Sequence, residues 1–167
     1  ISVSSAFENI MPSGPARNNI FALQTTTTLL WAVYGDYDLF YNPYGLDSYG
    51  ISKYSETGWL NIPYEKVFGA KSMVRIAVNP TNEKEIYASS FFSGLLKIVD
   101  DIPEILYNQT NSALESLILV PPNPSYIDIR INGTAFDKSG NLWVTNSLIK
   151  NALKSLSASG QWQSYSL

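Results

Sequence analysis

Short runs of alternating apolar and polar residues recur along the chain and predict β-strands rather than helices. Three of these runs share one order, in which an apolar residue is followed by an aromatic residue and then by small or β-branched residues. They are Leu30–Tyr34, Ile86–Ser90 and Leu142–Asn146. Their aromatic members, Trp31, Tyr87 and Trp143, follow one another at intervals of 56 residues. Such a fixed period predicts a repeated structural unit.

Each of these segments is accompanied by three further strand candidates. The candidates that precede them are Ile20–Leu23, Val74–Val78 and Gly133–Phe136. The candidates that follow, each with a lysine at its fourth position, are Gly50–Tyr54, Gly94–Ile98 and Asn151–Ser155. The candidates that complete the units are Trp59–Pro63, Glu104–Tyr107 and Trp162–Tyr165. Turn-forming connections such as Asn79–Asn82 and Asp137–Asn141 predict antiparallel hairpins within each unit.

Four short antiparallel strands, repeated in one order, predict an all-β fold built of about three β-propeller blades. A β-sandwich would not need the same strand order three times. We expect a lead-in segment or the end of a preceding blade over 1–17, blade one with a Tyr-rich insertion over 18–71, blade two with a Pro-rich connector over 72–127, and blade three over 128–167. Only 112–120 could form a brief helical turn. Because propellers close with about four to eight blades, the chain is expected to be a fragment whose remaining blades belong to the full-length protein.

Composition narrows the possible chemistry. The chain has no histidine and no cysteine, which excludes disulfides, thiolate nucleophiles and imidazole or thiolate metal sites. The 11 Lys and Arg residues against 14 Asp and Glu residues give a net charge of −3 without a basic cluster, so no nucleic-acid partner is expected. The acidic residues show no distinctive clustering, and we expect neither an enzyme nor a metal or cofactor. A polysaccharide-active propeller enzyme with paired carboxylates stays open as a weaker alternative.

Apolar run lengths and the first residues lead us to expect neither a membrane span nor a signal peptide within this sequence. No apolar run approaches the ~20 residues that would span a bilayer, so we expect no transmembrane segment in this chain. The first residues, Ile1–Ser5, lack both an initiating Met and a charged region. They are therefore expected to belong to an excised segment or a processed N-terminus rather than to a signal peptide.

The longest interruption of the repeat is the Tyr-rich loop, Gly35–Tyr49, which holds four tyrosines, one phenylalanine and three aspartates. Flat aromatic rings beside hydroxyl and carboxylate groups suit a carbohydrate or a polar peptide. The candidate ligand-binding residues are Asp36, Tyr37, Asp38, Tyr41 and Tyr44. The alternative interpretation is a loop that folds on its own aromatic cluster.

Three further segments have simpler interpretations. Pro121–Tyr126 predicts a rigid, extended connector between blades. Asp36 and Asp38 alone offer too few oxygen ligands for calcium. Asp137, Ser139 and Asn141 begin like a calcium loop, but Leu148 stands where the closing Glu is required, so a turn between strands is the better interpretation.

The third unit resembles the two-component regulator propeller repeat. The resemblance is carried by Asp137–Thr145, Ala152–Leu156 and Gly160–Tyr165. It implies a periplasmic, oligosaccharide-sensing propeller of a Bacteroidetes hybrid histidine kinase.

A narrower resemblance covers most of residues 18–167. The segments Asn42–Leu46, Tyr49–Lys53, Trp59–Pro63, Ser93–Lys97 and Tyr107–Ser112 are similar to the N-terminal propeller of PorZ-like proteins. Those proteins are surface components of the type IX secretion system, in the machinery that attaches anionic lipopolysaccharide to secreted cargo. This resemblance implies a non-enzymatic scaffold in the periplasm or at the outer-membrane cell surface. Its partners would be a glycan or lipopolysaccharide, or secretion-system proteins.

Overall fold

The computed structural model describes residues 13–166 and contains three four-stranded antiparallel sheets, each with its strands in sequence order. Blade one consists of β1 (Ala22–Thr25), β2 (Leu30–Val33), β3 (Ile51–Ser55) and β4 (Gly58–Ile62). Blade two consists of β5 (Met73–Asn79), β6 (Asn82–Ser90), β7 (Gly94–Val99) and β8 (Ile102–Tyr107). Blade three consists of β9 (Ile131–Phe136), β10 (Leu142–Asn146), β11 (Leu153–Leu156) and β12 (Trp162–Tyr165). The predicted all-β fold of successive propeller blades is confirmed.

Tight turns join the strands of each blade. The β7–β8 turn places Asp100 and Asp101 at φ values of 47° and 66°, the left-handed backbone that matches the twist of a two-residue hairpin. Gly94 opens β7 at φ 108°, and a side chain there would overlap the carbonyl oxygen of Tyr107 on β8. Only glycine therefore fits this position.

The aromatic markers occupy equivalent places, as the spacing predicts. Trp31 lies on β2, Tyr87 on β6 and Trp143 on β10, the second strand of each blade. Trp31 and Tyr87 pack toward the following blade. Trp143 lies on the opposite face of β10 from Leu142 and Val144, which pack against blade two. It therefore also points away from the preceding blade.

Two apolar cores join the three sheets. In the first, Trp31, Val33 and Ile51 of blade one pack against Ile86 and Leu96 of blade two. All five side chains are buried. The core is continuous from sheet to sheet, so neither blade shields its apolar face alone.

The second core lies between blades two and three. Tyr87 and Leu95 pack there against Leu142, Val144 and Leu156. Successive side chains of β6 point to opposite faces of the sheet, so this strand contributes to both cores. Ile86 and Ala88 face blade one, and Tyr87 faces blade three. Blade two is thus apolar on both faces.

The predicted alignment of the three lysines is wrong for blade three. Lys53 lies opposite Trp31 and Lys97 opposite Tyr87, but the residue opposite Trp143 is Ser155. Lys154 lies one position earlier and is fully buried. There its ammonium contacts the Glu115 carboxylate and the Ser164 hydroxyl. Shifting a strand by one residue moves a side chain to the other face of the sheet.

The connection between β8 and β9 differs from the prediction in two places. Residues 112–120 form no helix, and Leu114 inserts into the second core. The proline-rich segment is not simply extended: the Tyr126 amide donates to the Asn123 carbonyl at 3.0 Å and closes a turn. The amide of Leu117 then donates to the carbonyl of Asp128 at 3.0 Å, so the connection folds back on itself.

The predicted lead-in over 1–17 falls largely outside the described residues, as does Ile1–Ser5. Its described part, 13–17, lies against blade one. The Ala16 amide donates to the Ser52 hydroxyl at 3.0 Å, and the Arg17 guanidinium lies 3.9 Å from the centre of the Tyr49 ring.

The predicted turn interpretation of Asp137–Asn141 is confirmed. One carboxylate oxygen of Asp137 accepts the amides of Ser139 and Asn141 at 2.8 and 2.9 Å. The other accepts the Trp143 indole N–H at 2.8 Å. These hydrogen bonds, led by that of Trp143, lower the pKa of Asp137 to about 2.

Replacing Trp31 with alanine should destabilise the chain by about 3–5 kcal/mol, because it empties a large volume in the first core. The measurement is urea unfolding followed by circular dichroism. Ile118→Ala is the control, since Ile118 is 79% exposed and should change stability by less than about 0.5 kcal/mol. Equal effects of the two substitutions would contradict the shared core.

The Asp137 carboxyl should titrate near pH 2, and Trp143→Phe should move its pKa toward the ordinary 3.8. A folded pKa below the unfolded one means that the contribution of Asp137 to stability is present above about pH 4 and is lost as the pH falls through about 2. Carbon-detected NMR titration of the side-chain carboxyl measures this directly. An ordinary pKa in the wild type would show that the turn does not form.

Candidate binding site

One end of the sheets gathers the long connections of the chain. Because the strands of each blade alternate in direction, the β2–β3, β4–β5, β6–β7, β8–β9 and β10–β11 connections all lie at the same end. Backbone hydrogen bonds join them. The Gly35 amide donates to the Met73 carbonyl at 2.7 Å, and the Ser147 amide donates to the Arg130 carbonyl at 2.8 Å. The loops therefore form one continuous surface, called here the loop face.

The two aspartates of the Tyr-rich loop hold the backbone of the loop. Asp38 accepts the amides of Phe40 and Asn42 at 2.8 and 2.9 Å. The hydrogen bond from the Asn42 amide is the main cause that lowers the pKa of the Asp38 carboxyl. Asp36 accepts the amide of Tyr37 at 2.6 Å. The loop is thus closed by its own carboxylates, as in an Asx turn.

Tyr37 lies at the centre of an aromatic cluster. Its ring centre is 4.9 Å from that of Phe91, 5.1 Å from that of Phe21 and 5.4 Å from that of Tyr41, with which it stacks at 25°. The Asn132 amide lies 3.4 Å from the Tyr37 hydroxyl. Tyr37 therefore packs between blades, while Tyr41 covers it and keeps 60% of its surface exposed.

A buried ion pair fixes the loop from below. The Arg130 guanidinium donates to both carboxylate oxygens of Asp128 at 2.8–3.1 Å. It also donates to the Tyr41 carbonyl at 2.9 Å. Asp128 is fully buried and the Arg130 side chain is 8% exposed. A charge pair this deep is stable only when its hydrogen bonds are satisfied, so Arg130 ties blade three to the loop of blade one.

Two tyrosine hydroxyls extend this network. The hydroxyls of Tyr44 and Tyr126 lie 3.1 Å apart, and Tyr126 donates to Asp128 at 3.1 Å. The contact with Tyr44, burial and the Asp128 carboxylate all raise the pKa of Tyr126. Tyr126 is therefore protonated at neutral pH and can serve as the donor.

A groove of about 510 Å³ opens beside the Tyr-rich loop. Its lining includes Phe40, Tyr41, Arg130, Asn132, Thr145 and Leu148. Phe40 is 82% exposed, so a large aromatic ring borders amide and hydroxyl groups. A site of this size and mixed polarity suits a short oligosaccharide or an extended polar peptide.

The structure distributes the five candidate residues over different roles. Tyr41 lines the groove, whereas Tyr44 points to Tyr126. Tyr37 packs beneath the loop, and Asp36 and Asp38 accept hydrogen bonds from the loop backbone. An internal aromatic contact is therefore present, and an exposed ring borders a groove. Ligand binding by these residues stays a prediction.

Sequence reasoning missed the groove residues that come from other segments, chiefly Arg130, Asn132, Thr145 and Leu148. One signal was available. Asp128 and Arg130 alternate with Ile129 and Ile131 just before a predicted strand, a pattern that places two opposite charges on one face. The other residues meet the loop only through the stacking of the blades.

Within residues 13–166, no helix is long and apolar enough to cross a membrane. The same residues contain no cluster of three or more acidic side chains that could hold a metal ion.

No protein-family model matches the chain, and the curated proteins include no significant match. Among solved structures, the fold is similar to that of PorZ, an essential bacterial surface component of the type-IX secretion system of Porphyromonas gingivalis. The likeness has a TM-score of 0.80 at 21% sequence identity and covers 96% of this chain and 21% of PorZ. The chain thus spans about a fifth of the length of PorZ, and at this identity the likeness establishes the fold.

Replacing Arg130 with methionine should destabilise the chain by about 3–5 kcal/mol, because the buried Asp128 carboxylate would lose its cation. Urea unfolding measures the loss, and chymotrypsin should cleave the released loop at Phe40 or Tyr41 faster than in the wild type. The control is Arg75→Met on the exposed face of β5, for which the expected change is below about 0.5 kcal/mol. If both variants resist unfolding and chymotrypsin like the wild type, the ion pair does not hold the loop.

Proposed function

We propose that this chain is part of a non-enzymatic propeller scaffold that works with a type IX secretion system, in the periplasm or at the outer-membrane cell surface. Its loop face binds the polysaccharide of a lipopolysaccharide, or alternatively a secreted protein. The fold supports this proposal, because 96% of the chain superposes on PorZ, itself a surface component of such a system. Residues 18–71, 72–127 and 128–167 would be three blades of a larger propeller.

The exposed Phe40 and Tyr41 rings at the groove are the observation that carries the proposal. A sugar ring presents an apolar face of C–H groups and an equator of hydroxyls. The first can stack on an aromatic ring, and the second can hydrogen-bond to Asn132 and Thr145, which also line the groove. A groove of about 510 Å³ has the volume of a site for a short oligosaccharide.

We take the groove to be a binding site rather than a catalytic one. Glycoside hydrolysis requires two carboxyl groups flanking the scissile bond. The described groove lining has one charged group, Arg130, whose guanidinium is already bound to Asp128. Such an arginine can orient a ligand but cannot act as a general acid or base at neutral pH.

A second candidate function rests on the resemblance of Asp137–Thr145 to the regulator propeller repeat. On that resemblance, the same groove would bind an oligosaccharide in the periplasmic sensor of a hybrid histidine kinase. The full-length reading frame distinguishes the two. A downstream immunoglobulin-like sorting domain supports the secretion component, whereas a transmembrane helix followed by a kinase module supports the sensor.

Replacing Tyr41 with alanine should weaken polysaccharide binding by about five- to tenfold, since it removes an aromatic stacking surface worth about 1–1.4 kcal/mol. The measurement is biolayer interferometry with purified lipopolysaccharide, together with a glycan array, on the chain and on the complete propeller. Leu39→Ala is the matched control, because Leu39 is in the same loop and is 95% exposed but does not line the groove.

Unchanged binding by the Tyr41→Ala variant would place the ligand elsewhere, for example at the central channel of the complete propeller. Binding of secreted cargo protein, but of no glycan, would favour the protein-partner form of the proposal.

A further inference from the structure

Blades one and two are tied together by an ion pair at the end of the sheets opposite the loop face. The Lys53 ammonium on β3 contacts the Asp101 carboxylate in the β7–β8 turn of blade two. It also lies 5.5 Å from the centre of the Trp31 ring. The Lys53 side chain is 14% exposed, so its cation is held in a site shared by the two blades.

The equivalent site between blades two and three lacks the carboxylate. Lys97 on β7 lies opposite Tyr87 just as Lys53 lies opposite Trp31, and it faces blade three. The corresponding β11–β12 turn consists of Ala158, Ser159 and Gly160. None of these side chains can neutralise an ammonium group.

Lys97 is instead paired within its own blade. Its nitrogen lies 3.4 Å from the Glu104 carboxylate, which is 46% exposed. A partly solvated pair at this distance contributes little. Blade two therefore has the lysine for an ion pair with the next blade, but blade three has no carboxylate at the position that corresponds to Asp101.

A cavity of about 280 Å³ opens at this place, between blades two and three. Its lining includes Glu85, Tyr87, Lys97, Tyr107, Lys138 and Ser157. This volume lies just below the ~300–1,000 Å³ of sites for drug-sized ligands, so it suits a small molecule. We refer to it as the inter-blade cleft.

The polar groups of the cleft point to one class of ligand. Lys97 offers a cation to a carboxylate. Glu85 already accepts the Tyr87 hydroxyl at 2.8 Å through one oxygen, and its second oxygen has no hydrogen-bond partner among the described residues. It can accept from a ligand hydroxyl. Burial is the main cause that raises the pKa of Tyr107, which leaves its phenol protonated.

We propose that the inter-blade cleft binds a small hydroxylated carboxylic acid, a sugar acid of the hexuronate type. Its carboxylate would meet Lys97 as Asp101 meets Lys53 in the preceding pair of blades. Its hydroxyls would donate to Glu85 and bond to the phenol of Tyr107. The cleft lies at the opposite end of the sheets from the groove beside the Tyr-rich loop, so this site is separate from the one proposed above.

Isothermal titration calorimetry with D-glucuronate, compared with D-glucose, tests the proposal. Wild-type chain should bind glucuronate and not glucose. Lys97→Gln should weaken glucuronate binding by about tenfold or more, since it removes a charge-assisted hydrogen bond. The matched control is Lys84→Gln, which neutralises a lysine that is 72% exposed outside the cleft, and it should bind as the wild type does.

A second pair of variants tests the role of the carboxylate that blade three lacks, and neither variant removes a buried side chain. Ala158→Asp adds a carboxylate at the cleft lining, where it can pair with Lys97, and should abolish glucuronate binding. Ala158→Asn has nearly the same shape without the charge and should retain binding. Absence of glucuronate binding to the wild type, equal binding of glucose, or equal effects of the two Ala158 variants would overturn the proposal. Tyr41→Ala should leave this binding unchanged, which separates it from the site on the loop face.

Discussion

Burial of apolar residues between stacked sheets is the constraint on which the other features of this structure depend. A four-stranded sheet is too thin to have an interior, so its apolar side chains are buried only when a second sheet covers them. Blade two shows this most clearly, because Ile86 and Tyr87 are neighbours in sequence and yet belong to different cores. Because successive side chains of this strand point to opposite faces, one strand packs against both neighbouring sheets. The same stacking sets the positions of two loops, since the β2–β3 loop bonds to Met73 and the β6–β7 loop to Ile129, each at the approach to the next blade.

The sequence was most informative about the aromatic residue that recurs on the second strand of each blade. The spacing of Trp31, Tyr87 and Trp143 predicted equivalent strands, and Trp31 and Tyr87 both pack toward the following blade. Lysine was less informative. Its long side chain can reach a partner from either face of a strand, so a lysine in each third strand did not establish that the three are equivalent. Lys154 is buried against Glu115, a residue of the β8–β9 connection that no repeat pattern could have paired with it.

The candidate site shows the same limit. The composition of the Tyr-rich loop left two interpretations open, a ligand-binding loop and a loop that folds on its own aromatic cluster. Tyr37 and Tyr41 stack within the loop, and ligand binding stays a prediction. The partners of the loop come from far along the chain: Arg130 binds the carbonyl of Tyr41 across 89 residues, and Tyr126 meets Tyr44 across 82. Such contacts depend on how the sheets stack, which local patterns do not specify. The stacking of the repeated blades therefore determines where the residues of the Tyr-rich loop lie.

The central proposal is that the groove on the loop face binds polysaccharide. NMR chemical-shift mapping tests it most directly, with the 15N-labelled chain titrated with polysaccharide released from Bacteroidetes lipopolysaccharide. The account predicts shifts concentrated at Phe40, Tyr41, Asn132 and Thr145, four residues that line one groove. Shifts spread along the outer strands β4, β8 and β12, or no shifts at saturating polysaccharide, would contradict it.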